Sequence, residues 1–215
     1  MTHYLRLSSV FLFLFFFACA APYKDLQQQS APTSSVLKFK PVFDKVLYRC
    51  VVDGRVVFKR FHLSGLLFFK TMEDGSTRAV FQNEMGLTFF DFEWNADDSF
   101  QVNKIIPQLD KVAVIKILEK DMNLLLMKKL DRQTETVFTS GKEKYHRFDL
   151  QKGVAYYIVN EGKLVRIENA GKSKVITITL GNKGAEKAMP ASVFFNHHKA
   201  NFTIDLKKIE SDADE

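Results

Sequence analysis

Residues 77–95 read TRAVFQNEMGLTFFDFEWN, and this stretch decides the fold. Near its end, aromatic residues alternate with acidic ones: Phe90, Phe92 and Trp94 alternate with Asp91 and Glu93. Successive side chains of a β-strand point to opposite faces of the sheet, so this pattern predicts a strand with one aromatic, buried face and one solvated face. The segment 83–86 contains Asn and Gly and predicts a turn between two such strands.

Short segments of the same kind fill most of the chain on both sides of this hairpin. In the block before it, Asp53-Gly54 predicts a tight turn. In the block after it, Val165 and Ile167 alternate with charged residues, and Ile178 lies in a further alternating segment. About ten antiparallel strands, each with one apolar face, are expected to wrap around a shared interior.

Residues 104–130 interrupt this pattern and predict a helical insertion. Their apolar residues recur near the helical spacing, at positions 105, 106, 109, 112, 113, 117 and 118. Asp121 is typical of a helix N-cap and predicts a second short helix that carries Leu124 and Leu125. The insertion is apolar around much of its circumference, so we expect it to cover an apolar surface.

The N-terminus predicts export. Residues 7–18 form an apolar run that is too short for a permanent membrane span but fits the core of a signal peptide. Two cleavage sites are open: cleavage before Cys19 would leave a cysteine that accepts lipid, and cleavage after Ala20 would fit an ordinary signal. We favour lipidation, because Cys19 lies where the apolar run ends and a polar segment begins. Several acyl chains on one cysteine hold a protein firmly on a membrane.

The predicted organisation has four parts. They are a signal peptide (1–18), a lipidated N-terminus with a flexible tether (19–36), a β-domain (37–209) and an acidic tail (210–215). The tether is predicted because residues 22–35 are rich in Gln, Ser, Pro and Thr and can bury little apolar surface.

The distribution of charge and the sequence motifs limit the classes of function that we predict. The net charge is +6, but both signs are mixed along the chain, whereas a nucleic-acid-binding protein would concentrate its basic residues. The sequence contains no catalytic motif that we can recognise, so we predict no enzyme, no cofactor and no metal site. His197-His198 is interpreted as a hairpin turn, since adjacent side chains of an extended chain point apart. Asp91 and Glu93 are interpreted as the solvated side of their strand.

The chain has 21 Phe residues, and its apolar bulk exceeds what a simple sandwich of two sheets needs. Two interpretations are open: a tightly packed core, or a concave apolar face under a helical lid that accepts acyl chains. The predicted cavity-lining residues are Phe90, Phe92, Trp94, Leu124, Leu125, Val165, Ile167 and Ile178.

The order of these parts resembles the LolA/LolB-like family of outer-membrane lipoprotein carriers and receptors, and within it an uncharacterised branch of Bacteroidetes-type lipoproteins. The resemblance runs from about Leu37 to Ile209 and rests on SGLLFFK, the stretch 77–95, the mid-chain helices and the strands after Met189-Pro190. It implies a mainly β fold: an antiparallel half-open β-barrel with a helical lid inserted mid-chain. It also implies that Met85, in the turn NEMGL, is the counterpart of an apolar loop residue that protrudes from the LolB receptor and contacts a membrane or a partner.

The function predicted from these features is binding of a lipid or lipoprotein acyl chain in an apolar cavity, by a lipid-anchored protein of the outer membrane. The alternative is a structural or protein-docking envelope lipoprotein without a ligand. The expected partners are acyl chains, the membrane itself and other envelope proteins, and no nucleic acid.

Overall fold

The computed structural model describes residues 23–29, 34–56, 59–184 and 186–209. The predicted signal peptide, Cys19 and the acidic tail lie outside the described residues. Their assignment therefore stays a prediction.

The described chain consists of strands around one mid-chain helix. The strands are β1 (Gln27–Gln28), β2 (Lys45–Val56), β3 (Lys59–Thr71), β4 (Thr77–Gln82), β5 (Thr88–Trp94), β6 (Phe100–Ile105), β7 (Thr136–Ser140), β8 (Glu143–Asp149), β9 (Val154–Asn160), β10 (Lys163–Ala170), β11 (Lys174–Gly184), β12 (Ser192–His197) and β13 (Phe202–Lys208). The helix α1 is Val112–Leu125, and short 3-10 turns lie at Val36–Phe39 and Leu130–Arg132.

One antiparallel sheet contains all these strands. Its order is β1-β7-β8-β9-β10-β11-β12-β13-β2-β3-β4-β5-β6. Within the described residues, the outermost strands β1 and β6 do not pair with each other, so the sheet does not close into a complete barrel. The prediction of a mainly β, antiparallel, half-open fold with a mid-chain helix is confirmed.

The sheet curls around α1. On β5, the indole nitrogen of Trp94 donates to Oδ1 of Asn123 (2.7 Å), and on β9 the hydroxyl of Tyr157 donates to the carbonyl oxygen of Leu124 (2.9 Å). These two strands are eight places apart in the sheet order, which corresponds to about 38 Å along the sheet at the usual spacing between strands. One helix reaches both only because the sheet bends around it. We call the face towards α1 the concave face and the opposite one the outer face.

The hydrophobic core lies between α1 and the concave face. The buried apolar residues of α1 are Leu118, Met122, Leu124 and Leu125, and they belong to the same cluster as the inward side chains of strands from both halves of the sheet. The helix therefore covers an apolar surface, as its wide apolar circumference predicts.

The turn predicted at Asp53-Gly54 is wrong. Both residues lie inside β2 and pair with His62 and Phe61, and the hairpin continues to Val56. Glycine is needed at position 54 for a different reason, because a Cβ atom there would lie 2.2 Å from the ring of Phe61. The Asp-Gly pair, which is typical of tight turns, therefore occurs here inside a strand, where the glycine allows neighbouring side chains to pack closely.

The prediction of two helices with Asp121 as a cap is also wrong. Asp121 lies inside the single helix α1, and its side chain is buried against the sheet. The N-terminus of α1 follows Lys111, which makes no capping hydrogen bond through its side chain.

Part of the interval predicted as a flexible tether is packed against the sheet. Gln27 and Gln28 form β1 and pair with β7, and Tyr23 lies on the outer face against Tyr156. We call residues 23–29 the N-terminal strap.

Candidate functional site

The space beneath α1 contains most of the residues predicted to line a cavity. Seven of the eight lie in one buried cluster on the concave face or on α1: Phe90, Phe92, Trp94, Leu124, Leu125, Ile167 and Ile178. The rings of Phe90 and Phe92 stack with centroids 4.3 Å apart, and Phe100 packs on Phe92 at 5.2 Å. The structure therefore brings these residues together, while their role in ligand binding stays a prediction.

Val165 is the exception. A bulge between Leu164 and Arg166 inserts one extra residue into β10, so the alternation that the sequence suggests is broken there. Val165 consequently packs with the outer cluster around Tyr156 instead of sharing the concave face with Ile167.

An apolar cavity lies between the C-terminal end of α1 and the sheet. Its volume is about 10 Å³, which is about the space of one water molecule and too small for an acyl chain. Phe39, Leu125, Met127, Leu164 and Ile167 are among the residues that line it. An acyl chain would need α1 to move away from the sheet.

A wider cleft of about 570 Å³ lies at the ends of β2, β3 and β13 and is open to solvent. Its lining includes Phe61 and Phe202 beside polar residues such as Arg55 and His62. It does not offer an apolar chain a dry environment.

The polar contacts between α1 and the sheet are concentrated at its C-terminal end. Asn123 and Leu124 accept the two hydrogen bonds from Trp94 and Tyr157 given above. Just beyond α1, Lys128 donates to the hydroxyl of Thr77 (3.0 Å) and pairs with Asp98 (3.4 Å). The N-terminal part of α1 is held less firmly, and Val112 at its start is 69% exposed.

A buried pair, Asp121 and His197, joins α1 to β12. Oδ2 of Asp121 lies 2.8 Å from Nε2 of His197, and Nδ1 of His197 lies 3.1 Å from the carbonyl oxygen of Phe202. A carbonyl oxygen only accepts hydrogen bonds, so Nδ1 carries a proton. The contact between Oδ2 and Nε2 requires a second proton, held by one atom or the other. The pair therefore binds α1 to the sheet through one shared proton.

Burial raises the pKa of the Asp121 carboxyl above its ordinary value of 3.8. The hydrogen bond and charge of His197 and the charge of Lys120 act in the opposite direction but do not outweigh burial. The folded state thus keeps the shared proton at pH values at which a free aspartate would have lost it.

We expect Asp121→Asn to remove this dependence on a proton, because an amide N–H can donate to Nε2 without one. Because folding raises the pKa of the Asp121 carboxyl, this carboxyl contributes stability that is lost as pH rises from 3.8 towards its raised pKa. The difference in free energy of unfolding, variant minus wild type, should therefore grow with pH through this window and then level off. Urea denaturation over that pH range measures it, and a constant difference would show that Asp121 carries no shared proton.

His197 was predicted to lie in a turn, and this is wrong: it ends β12 and its ring is buried. Its neighbour His198 is exposed and lies 2.9 Å through Nε2 from the hydroxyl of Thr177. Both ring nitrogens of His197 are engaged, so neither is open to act as a base on a substrate.

Asp91 was predicted to be solvated and is instead buried. It lies on the outer face, where its carboxylate accepts two hydrogen bonds from the guanidinium of Arg78 on β4. Glu93, on the same face, is partly exposed and accepts from Asn103 at 2.7 Å. Both carboxylates therefore form hydrogen bonds with side chains of neighbouring strands.

Met85 is fully presented to solvent. The turn between β4 and β5 is fixed by the side chain of Asn83, which accepts hydrogen bonds from the backbone N–H groups of Met85 and Leu87. Met85 is 92% exposed and Leu87 53%. An apolar tip held in this way has the form expected of a contact residue, although its partner stays a prediction.

Within the described ranges, no group of three or more His, Cys, Asp or Glu side chains is arranged to hold a metal ion. No helix there has both the length and the apolar character needed to cross a membrane.

The fold and the space beneath α1 define a class of protein: an open, curled antiparallel sheet with one helix across its concave face. No family model and no curated protein sequence matches the chain. It is similar in structure to a domain from Vibrio parahaemolyticus described as an outer membrane lipoprotein-sorting protein, with a TM-score of 0.48 and 8% sequence identity over 80% of this chain and 86% of that one. It is also similar to a DUF1329 family protein from Desulfovibrio piger, with a TM-score of 0.45 and 8% identity over 80% of this chain and 87% of that one.

Proposed function

We propose that this chain is an envelope protein, anchored to a membrane at Cys19, which binds the acyl chain of a lipid or lipoprotein between α1 and the concave face. The observation that carries the proposal is the apolar layer beneath α1. In sheet order it runs from Phe148 on β8 to Trp94 on β5, and it is covered by a helix whose short polar contacts with the sheet lie at Asp121 and beyond.

The described conformation corresponds to the closed, ligand-free form. The N-terminal half of α1 contacts the core through Val114 and Leu118. Further along the helix, Lys120 donates a hydrogen bond of 3.5 Å to the carbonyl oxygen of Lys152. The N-terminal half can separate from the sheet while Asn123 and Lys128 keep the other end in place. The exposed groove would then have the length and chemistry of a site for an alkyl chain.

The energy scale of such binding is adequate. Burial contributes about 0.8 kcal/mol for each methylene group, so about ten methylenes contribute roughly 8 kcal/mol. That figure corresponds to micromolar affinity before the cost of moving the helix is subtracted. The apolar side chains that α1 withdraws from the sheet regain part of this cost by contacting the ligand.

A fluorescent fatty acid titrated into the full chain with Cys19→Ala tests this proposal. We expect saturable binding at micromolar concentration, with protection of the probe from water. Val114→Asp should weaken binding, because Val114 packs against the core and a carboxylate there would face the acyl chain. Val112→Asp is the matched control, since Val112 is exposed and should not affect affinity.

Two results would contradict the proposal. One is no binding at micromolar concentration by a chain that is folded, which would favour the alternative of a protein-docking lipoprotein with a permanently filled interior. The other is an equal effect of the two valine substitutions, which would place the probe somewhere other than beneath α1.

A further inference from the structure

The N-terminal strap is fixed to the outer face of the sheet by several independent contacts. The ring of Tyr23 stacks on Tyr156 with centroids 4.2 Å apart, and its hydroxyl donates to Oε2 of Glu168 at 2.5 Å. Lys174 lies with its ammonium group 5.7 Å from the centre of the Tyr23 ring. After Tyr23 the chain continues around the sheet edge, where Gln29 donates from its backbone N–H to the carbonyl oxygen of Val137.

The Tyr23 contact is stable because its acceptor stays charged. Burial of Glu168 acts to raise its pKa, but the hydrogen bond from Tyr23 and the contacts with Lys174 and Arg166 outweigh burial, so the pKa lies below the usual 4.5. Glu168 therefore remains a carboxylate at neutral pH and keeps accepting from the tyrosine hydroxyl.

The contacts of the N-terminal strap limit the distance between the folded sheet and a lipid anchor at Cys19. Only four residue steps separate Cys19 from Tyr23, and an extended chain spans at most about 3.5 Å per residue, or roughly 14 Å here. The outer face next to Tyr23 would then be held within that distance of the lipid headgroups. A long flexible tether from residue 19 to residue 36 would have allowed any orientation.

The surface next to Tyr23 suits a lipid headgroup layer. Lys24 and Lys172 are exposed there, beside Lys174, and each cation near an anionic membrane contributes about 1 kcal/mol. Two strands from Tyr156, Thr179 is exposed on the same face and pairs with Phe194, whose ring is 42% exposed. Phe194 lies between Thr179 and Asp205 on this face, and exposed aromatic rings are typical of surfaces that meet the membrane interface.

We propose that the outer face of β9 to β12, next to the N-terminal strap, lies against the membrane that holds Cys19. This orientation rests on the anchor of the proposed function. It also separates two surfaces of the molecule: the hairpin that carries Met85 is six places from β10 in the sheet order, about 29 Å along the sheet. Met85 therefore lies on a different part of the sheet from the N-terminal strap.

Spin labels at two engineered cysteines test the orientation in the full lipidated chain on vesicles of phosphatidylcholine and phosphatidylglycerol. Thr179→Cys reports on the outer face and Met85→Cys on the hairpin. The natural thiol at Cys50 does not interfere, because it is buried and burial raises its pKa. We expect the label at 179 to lose accessibility to a water-soluble nickel chelate when the protein binds vesicles, while the label at 85 stays accessible.

Tyr23→Ala, which removes the stacking and the hydrogen bond, should restore the accessibility of the label at 179 on vesicles. Mass spectrometry of the same samples reports whether Cys19 is acylated. If Cys19 is acylated but the label at 179 is as accessible as the label at 85, the orientation is wrong while the anchor stands. If Cys19 carries no lipid, the anchor of the proposed function is wrong and the orientation fails with it.

Discussion

Replacing Phe92 by alanine is expected to lower the free energy of unfolding by about 3–5 kcal/mol, the usual cost of deleting a buried phenylalanine ring. Phe92 is completely buried, and its ring contacts those of Phe90 and Phe100. The deleted ring loses its transfer free energy, and the cavity that remains adds to the loss because the neighbouring strands cannot collapse into it. Urea denaturation at neutral pH measures the change.

Phe194→Ala is the matched control, because the same ring is removed from a position that is 42% exposed on the outer face. We expect its cost to be within about 0.5 kcal/mol of zero, as for other surface positions. Equal costs for the two substitutions would mean that the concave face is not packed in solution, and the interior would then already be open to a ligand.

The strands were predictable because their signal is local. The alternation of Phe90, Phe92 and Trp94 with Asp91 and Glu93 depends only on the geometry of an extended chain, and the structure places all three rings on the concave face. The same rule predicts the wrong face for Val165. A bulge places this residue on the outer face, and the amino-acid sequence around it does not indicate the bulge.

The contacts between distant segments were not predictable. Asp121 and His197 are 76 residues apart, and neither has a neighbour in sequence that indicates its partner. One signal was present: at helical spacing Asp121 shares a face with Leu118 and Leu125, and a carboxylate on the buried side of a helix needs a polar partner. Aspartate is also typical of a helix N-cap, and at a cap Asp121 would be solvated and would need no buried partner.

The strap was missed for a related reason. Residues 22–35 have the composition of a disordered tether, and composition averages over the single aromatic residue that matters. Tyr23 docks because Tyr156 and Glu168 are presented on the outer face, and those positions become neighbours only when β9 and β10 have paired.

The second large effect on the free energy of unfolding is expected for substitutions of Asp121 and His197, the pair that binds α1 to β12. His197→Leu should lower the free energy of unfolding by about 3–5 kcal/mol, because removal of one member leaves the other buried and unpaired. Asp121→Leu should have a cost of the same kind. The double variant should cost less than either single variant, since two apolar side chains of suitable size need no partner and no shared proton.

Urea denaturation of the four proteins gives the coupling between the two positions, and amide hydrogen exchange shows where it acts. In the single variants we expect amide exchange in α1 to increase, relative to the wild type, more than exchange in the central strands. The reason is that the pair is buried between the helix and the sheet and connects them directly. His198→Leu is the control, since that neighbouring ring is exposed and forms a side-chain hydrogen bond with Thr177 on the sheet, not with α1. Strictly additive costs, or exchange that increases equally in α1 and the strands, would show that Asp121 and His197 do not hold the helix in place. The closed form would then depend on apolar packing and on the hydrogen bonds from Trp94 and Tyr157 to the C-terminal end of α1.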